Sequence, residues 1–325
     1  MASLKEIKSR IASVRNTQKI TSAMRMVASA KLHHTQSMTE AFLRYKDELE
    51  RIVDSLQLTV DSSMRQEDQQ GESQISNLKS QTSNLKPQIS NLLIPVSSNS
   101  GLCGAFNSNI AKATMQRIQE LESQGKEVRL LPIGKKIAHE IKKTGKDFHA
   151  DFIGLLDKIE KSSTFTDVST LVKLVCEWQQ SNKIDNVEFI YHHFKSMGRQ
   201  VIQVEDVNVN DNLNHNENDN DNLNLNDNDN FQFSIFNFQF SPYLTEPSRE
   251  ELFVSLFPRL LNAKVYGILL DSLTSEHAAR MMAMQTADDN ANDLLKELTL
   301  IYNKTRQQTI TNELIDIMSG KIGQN

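Results

Sequence analysis

Cysteine, proline, tryptophan and long apolar runs are all scarce in this 325-residue chain, and each scarcity excludes something. Two cysteines, Cys103 and Cys176, cannot build a disulfide framework or a four-thiolate zinc site, and their number suits a reducing compartment. No run approaches the roughly 18 apolar residues that a membrane span needs. The first apolar residues are interrupted by Lys5, Lys8, Arg10 and Arg15, unlike those of a signal peptide. Membrane association is therefore expected to go through partners only. Hydrophobic residues make up 38% of the chain and aromatic ones 6%, which is low for a compact globule of this length. Part of the chain is expected to pack thinly.

The net charge of −5 is unevenly spread. Residues 205–230 hold eight acids and no Lys or Arg; without those eight, 33 of the 41 acids remain against 36 basic residues, a net of +3. Residues 1–35 carry seven basic groups and one acid, Glu6. The first helix is thus cationic and its partner should be acidic: nucleic acid, or an acidic protein collar. A transit peptide shares the composition, but here the pattern continues into further helical turns without a small-residue cleavage site.

Helix breakers divide the chain into three. The first Gly is Gly71 and the first Pro is Pro87, while Pro258 is the last Pro and no Gly lies between Gly267 and Gly320. Residues 3–57 and 268–319 could each form one helix of about 80 Å, long enough to suggest a coiled coil or stalk. Apolar residues step by three and four along Leu4, Ile7, Ile11 and Val14, then along Ile20, Met24 and Val27. At the far end Leu294, Leu298 and Ile301 form a seam that fails at Thr305–Gln308 and restarts in another phase at Ile310, Leu314 and Ile317. So narrow a stripe is a coiled-coil seam, and its slips predict a short, irregular pair.

The middle alternates strand and helix. Leu92–Val96, Val128–Ile133, Val187–Tyr191 and Val201–Val204 read as strands; residues 105–124, 135–143 and 167–181 read as helices. This predicts an α/β fold: a Rossmann-like domain with a mainly parallel sheet, joined to a long antiparallel coiled coil of the two terminal helices. The boundaries are 1–60 for the N-terminal helix, 61–91 for a low-complexity repeat, 92–247 for the α/β domain and 248–325 for the C-terminal helix. Within the domain, 206–230 is an Asn/Asp-rich tract whose composition predicts disorder and dispensability.

No catalytic constellation appears. Ser98–Asn107 joins a strand to a helix through Gly101 and Gly104, yet carries neither phosphate-binding glycine signature, so it reads first as a packing turn. Cys103 has no base placed near it by any recognisable spacing, and His192 and His193, as strand neighbours, point to opposite faces. No metal site and no cofactor are expected. A small-molecule enzyme built on this turn and a nucleic-acid-binding coiled coil are the rival readings. The basic segment lacks the interleaved aromatics that would stack on bases.

Three blocks resemble the gamma subunits of F-type ATP synthases. They are KEIKSRIASVRNTQKITSAMRMVASAK at 5–31, GLCGAFN at 101–107, and DSLTSEHAARMMAMQTADDNA through YNKTRQQTITNELIDIMSG at 271–320. The chain departs from the family at Asn99-Ser100, where Asp-Arg is common, and at Ala105 and Lys321. The resemblance implies a non-catalytic central rotor stalk of a proton-translocating ATP synthase. Its implied partners are a hexameric ring of alpha and beta subunits, the epsilon subunit and the membrane c-ring, with no nucleic acid. The implied place is the cytoplasmic face of the bacterial inner (plasma) membrane, as a peripheral subunit. It further implies that Met24, Arg306, Gln307 and Thr311 contact a beta subunit, and that Tyr243 and Glu246 face the c-ring.

Overall fold

Residues withdrawn from water along the first helix follow one unbroken alternation of threes and fours, from Leu4 through Ile7, Ile11, Val14, Gln18, Thr21 and Arg25 to Val53. That is the seam of a coiled coil. The helix is α1 (Leu4–Met64) of a computed structural model, which describes residues 3–64, 90–162, 165–181, 184–207, 246 and 249–322. Its partner is α6 (Arg249–Ile322), whose seam descends through Thr305, Tyr302, Leu298, Leu295, Ala291, Asp288 and Met284. At about 1.5 Å per residue the two helices are about 90 and 110 Å long.

Cross-pairs fix the register. Gln18 Nε2 donates to Asn292 Oδ1 at 2.6 Å, Arg25 Nη1 donates to Gln285 Oε1, and Thr39 Oγ1 lies 3.3 Å from Thr274 Oγ1. The helices are therefore antiparallel, and the first two pairs place Leu4 level with Arg306. Buried polar positions cost a coiled coil stability while specifying its register.

The expected seam is corrected here. It neither slips nor restarts. Leu4, Ile7, Ile11, Val14 and Leu298 lie on it, but Ile20 and Val27 are exposed where Gln18, Thr21 and Arg25 hold the seam, Leu294 and Ile301 are exposed beside Leu295, Leu298 and Tyr302, and Ile310, Leu314 and Ile317 are exposed where α6 has run past the start of α1. α6 runs through Pro258. Burial of Phe257, Leu261 and Val265 in the domain core offsets the roughly 3 kcal/mol that an interior proline costs. By length and composition α6 also passes for a membrane span, but Leu261, Val265, Leu269, Leu270 and Leu273 are buried in the protein.

Between the long helices lie β1 (Ser90–Pro95), α2 (Phe106–Ser123), β2 (Glu127–Leu130), α3 (Lys135–Lys143), α4 (Leu155–Ser162), α5 (Phe165–Gln180), β3 (Asn186–Ser196) and β4 (Arg199–Asp206). The sheet order is β2-β1-β3-β4, with β1 parallel to both neighbours. β4, by contrast, is antiparallel to β3 across the two-residue turn Met197-Gly198, so the expected mainly parallel sheet carries one antiparallel edge. α4 is a helix that the sequence pattern did not reveal; only eight residues long, it is held by burial of Leu155, Leu156 and Ile159.

The central strand β1 is buried along its whole length, as a strand covered on both faces must be. Leu92 and Ile94 join Phe189, Val172, Leu269 and Leu270 on the face covered by α5 and α6. Leu93 and Ile190 join Ile110, Ile118 and Ile137 on the face covered by α2 and α3. The middle of α6 thus serves two structures at once, as one strand of the coil and as one cover of the sheet. Residues 65–89, most of the repeat read at 61–91, and residues 208–245, which take in nearly all of the Asn/Asp-rich tract at 206–230, lie outside the described residues.

Candidate functional site

Doubly wound folds bind ligands in the crevice beyond the strand ends, where the strand order reverses. Here that point lies past β1, since β2 is on one side of it and β3 on the other. The loop Ser97–Ala105 follows, and α6 crosses it. Arg280 Nη2 donates to Ser100 Oγ at 2.7 Å, and a Cβ at Gly104 would lie 3.8 Å from the Ala283 Cβ. The protein's own helix crosses the strand-end crevice, leaving a cleft of about 260 Å³ between α6 and this loop.

The loop is tied to itself rather than opened to a substrate. The Ser98 backbone N–H donates to Asn107 Oδ1 at 3.1 Å, and Asn107 Nδ2 donates to the buried Cys103 Sγ at 3.1 Å. Leu102 takes a positive φ of 64° in this turn. The next loop is as tight. Gly134 has φ 111°, and a Cβ there would lie 2.0 Å from the Ser97 carbonyl oxygen. Since Gly134 cannot cap α3 with a side chain, Asn99 Oδ1 and Ser97 Oγ accept from Lys135 N and Ile137 N, at 2.9 and 3.0 Å. The fold does bring His192 to the cleft beside Cys103, a proximity no spacing revealed. His192 stacks on Phe106 at 4.2 Å between ring centres, and burial pushes its pKa down to about 4. Among the described residues no group of three His, Cys, Asp or Glu could hold a metal ion.

What the structure builds with care is the junction of coil and domain. On one side β3 is bolted to α6. Asp271 Oδ1 accepts the Phe194 backbone N–H at 2.8 Å, Asp271 Oδ2 lies 2.5 Å from His193 Nδ1, and Ser275 Oγ donates to the His192 carbonyl at 2.9 Å. Burial raises the Asp271 pKa, against the opposing pull of His193 and the Phe194 N–H. Asp271, His193 and Phe194 line a groove of about 800 Å³ between α1, α6 and the β3–β4 hairpin. On the other side, Lys31 of α1 and Glu160 of α4 are 2.6 Å apart. The mostly buried Glu276 pairs with Arg280 at 2.7 Å.

The residues named from the sequence are dispersed. Met24 is half-buried in a cleft with Ala28, Lys31, Ser100, His277 and Arg280. Arg306, Gln307 and Thr311 are exposed on α6, about 30 Å further along the axis at 1.5 Å per residue. The Thr311 hydroxyl donates to the Gln307 carbonyl at 2.9 Å. Beyond Arg306, α6 runs past the start of α1, and every residue from Ile310 to Met318 is exposed. Glu246 is exposed ahead of α6, and Tyr243 lies outside the described residues. The polar seam pairs and the Asp271 bolt were missed; polar residues falling on the three-four repeat were the signal for the former.

The outside of the coil is both cationic and apolar. Lys5, Lys8, Arg10, Arg15 and Lys19 are exposed, and so are Ile20, Met26, Val27, Leu300 and Ile301.

Comparison with known proteins agrees with this architecture. The chain matches the family described as ATP synthase over residues 3–322. It is 44% identical over 320 residues to the ATP synthase gamma chain of Parabacteroides distasonis, covering 98% of each chain. It is 41% identical to that of Bacteroides fragilis, covering 99% of this chain and all of the other. In fold it is similar to a chain of the Euglena gracilis mitochondrial ATP synthase OSCP/F1/c-ring structure, with TM-score 0.60, 17% identity, and 98% and 94% of the two chains covered. With its terminal helices paired as a coil, its strand-end crevice crossed by that coil, and its whole length matched, the chain belongs to the ATP synthase gamma chain family.

Proposed function

We propose that the chain is the central rotor stalk of a proton-translocating F-type ATP synthase, a non-catalytic subunit that couples rotation of a membrane c-ring to conformational change at the catalytic beta subunits. The outer face of the coil carries this reading. The seam is mostly apolar, interrupted by polar pairs such as Gln18–Asn292 and Arg25–Gln285, yet cations and large apolar side chains such as Ile20, Met26, Val27, Leu300 and Ile301 also face outward. A helix pair whose outer face met only water would carry few large apolar side chains there. An outer face of this kind suits a shaft enclosed by other subunits.

Torque enters at the α/β domain, where epsilon and the c-ring bind, with Glu246 and Tyr243 on the c-ring side. The Asp271 and Ser275 bolts pass it into α6. At the far end, where α6 alone continues, Arg306, Gln307 and Thr311 meet a beta subunit, and Met24 meets a beta subunit lower down. One exposed helix beside a pair is an asymmetric cross-section, so rotation presents a different face to each catalytic site in turn. No bond is made or broken on this chain. Its charges act through orientation-dependent, salt-screened contacts. The complex would hold it peripherally at the cytoplasmic face of the bacterial inner membrane.

The test is Arg306→Ala with Gln307→Ala in membranes carrying the whole complex. Both side chains are exposed and off the seam, so folding should change by no more than about 0.5 kcal/mol. The ATP-synthesis rate should fall several-fold with the complex still assembled. An unchanged rate counts against the contact.

A further inference from the structure

Domain and shaft meet in one polar network that spans four elements. Glu160 Oε1, from α4, lies 2.6 Å from Lys31 Nζ of α1 and 3.5 Å from His277 Nε2 of α6. His277 Nδ1 is 3.5 Å from Arg280 Nη1, and the other Arg280 nitrogen, Nη2, bonds Glu276 and the Ser100 hydroxyl of the β1–α2 loop, each at 2.7 Å. His277 and Glu276 are almost wholly buried, whereas the Lys31 side chain is 48% exposed.

Two features single out Glu160. The bolts from β3 reach α6 alone, through Asp271 and Ser275. The Glu160–Lys31 pair instead reaches from the domain directly to α1. Without it, torque on α6 would pass to α1 through the coil seam alone, which near this level holds Ala28, the buried Leu32 and the polar pair Arg25–Gln285. A pair with one half-exposed member adds little to static stability. Its worth here lies in angular position, because it ties α1 to the domain while Asp271 and Ser275 tie α6; His277 Nε2, 3.5 Å from the same carboxylate, makes no hydrogen bond.

We propose that Glu160 is a positioning residue for rotary coupling: by pairing with Lys31 it keys α1 to the α/β domain, while Asp271 and Ser275 bolt α6 to it, so that both helices of the shaft turn with the domain as one body. This rests on the rotor reading above and adds residues to which neither the sequence nor the family comparison assigns a role.

The experiment uses inverted membrane vesicles carrying the intact complex, with Lys31→Met, Glu160→Gln, Lys31→Arg and the reversal Lys31→Glu with Glu160→Lys. Vesicle acidification is measured against ATP hydrolysed, and the subunits co-purifying with the chain are counted. Lys31→Met and Glu160→Gln should assemble and hydrolyse ATP, while acidification per ATP falls about two- to thirtyfold, the span expected for perturbing a coupling network. Lys31→Arg should keep the wild-type ratio, and the reversal should recover most of it. A wild-type ratio in both single variants would overturn the proposal. So would a purely structural result, in which Glu160→Gln fails to assemble while Lys31→Met is fully coupled. Failure of the rotor reading would look different: the unsubstituted chain would be recovered without ATPase subunits.

Discussion

Replacing Asp271 separates its two roles. Its carboxylate joins shaft to sheet by accepting the Phe194 N–H and contacting His193, yet it is largely buried, and burial raises its pKa. A carboxyl whose folded pKa lies above its unfolded value of about 3.9 gives its full contribution below that value and loses it as pH rises through the folded pKa. At neutral pH the wild-type chain therefore carries a desolvation cost here. Asp271→Ala removes the acceptor and leaves the Phe194 N–H without its partner, a loss of about 1.5–3 kcal/mol. Asp271→Asn keeps an oxygen for that N–H and can donate to His193 Nδ1, with no charge to desolvate. The assay is urea unfolding of the purified chain at pH 4 and at pH 7.5. Asp271→Asn should match or exceed wild type at pH 7.5 and lose any advantage toward pH 4, while Asp271→Ala should be the weaker of the two at both. If Asp271→Asn were as damaging as Asp271→Ala at pH 7.5, charge rather than hydrogen bonding would hold the bolt, and the reasoning would fail.

Other outcomes follow from single contacts. Gly134→Ala should destabilise the domain by about 3 kcal/mol or more, because a Cβ would fall 2.0 Å from the Ser97 carbonyl at a positive φ; a thermal midpoint within a degree of wild type would refute this. Arg117 grips the buried Glu188 with two bonds of 2.7 and 2.9 Å, so Arg117→Met should cost about 3–5 kcal/mol in urea unfolding. Adding Glu188→Gln to that variant should return part of the loss, because no unpaired carboxylate then remains.

The alternation of strands and helices in the middle of the chain was legible because β1 and β3 are short apolar runs between breakers, and a strand covered on both faces must be built that way. The two terminal helices were legible from breaker-free length alone. The coil's interior was legible only in part: Leu4, Ile7, Ile11, Val14 and Leu298 lie on the seam as read, while Ile20, Val27 and Ile310 lie outside and Gln18 and Arg25 lie within. Reading apolar residues as seam assumes that the outside faces water, and a one-dimensional pattern records which residues are apolar, not which environment they face. The cost of Pro258 within α6 is fixed by the backbone, but the core that offsets it is completed by residues far away in sequence. Motif blocks 5–31, 101–107 and 271–320 determined the family by themselves, because long stretches of specific residues rarely recur by chance. The crossing of α6 over the crevice beyond β1, the Asp271 bolt and the Lys31–Glu160 junction were decided only in three dimensions, since each joins residues brought together by packing rather than by spacing.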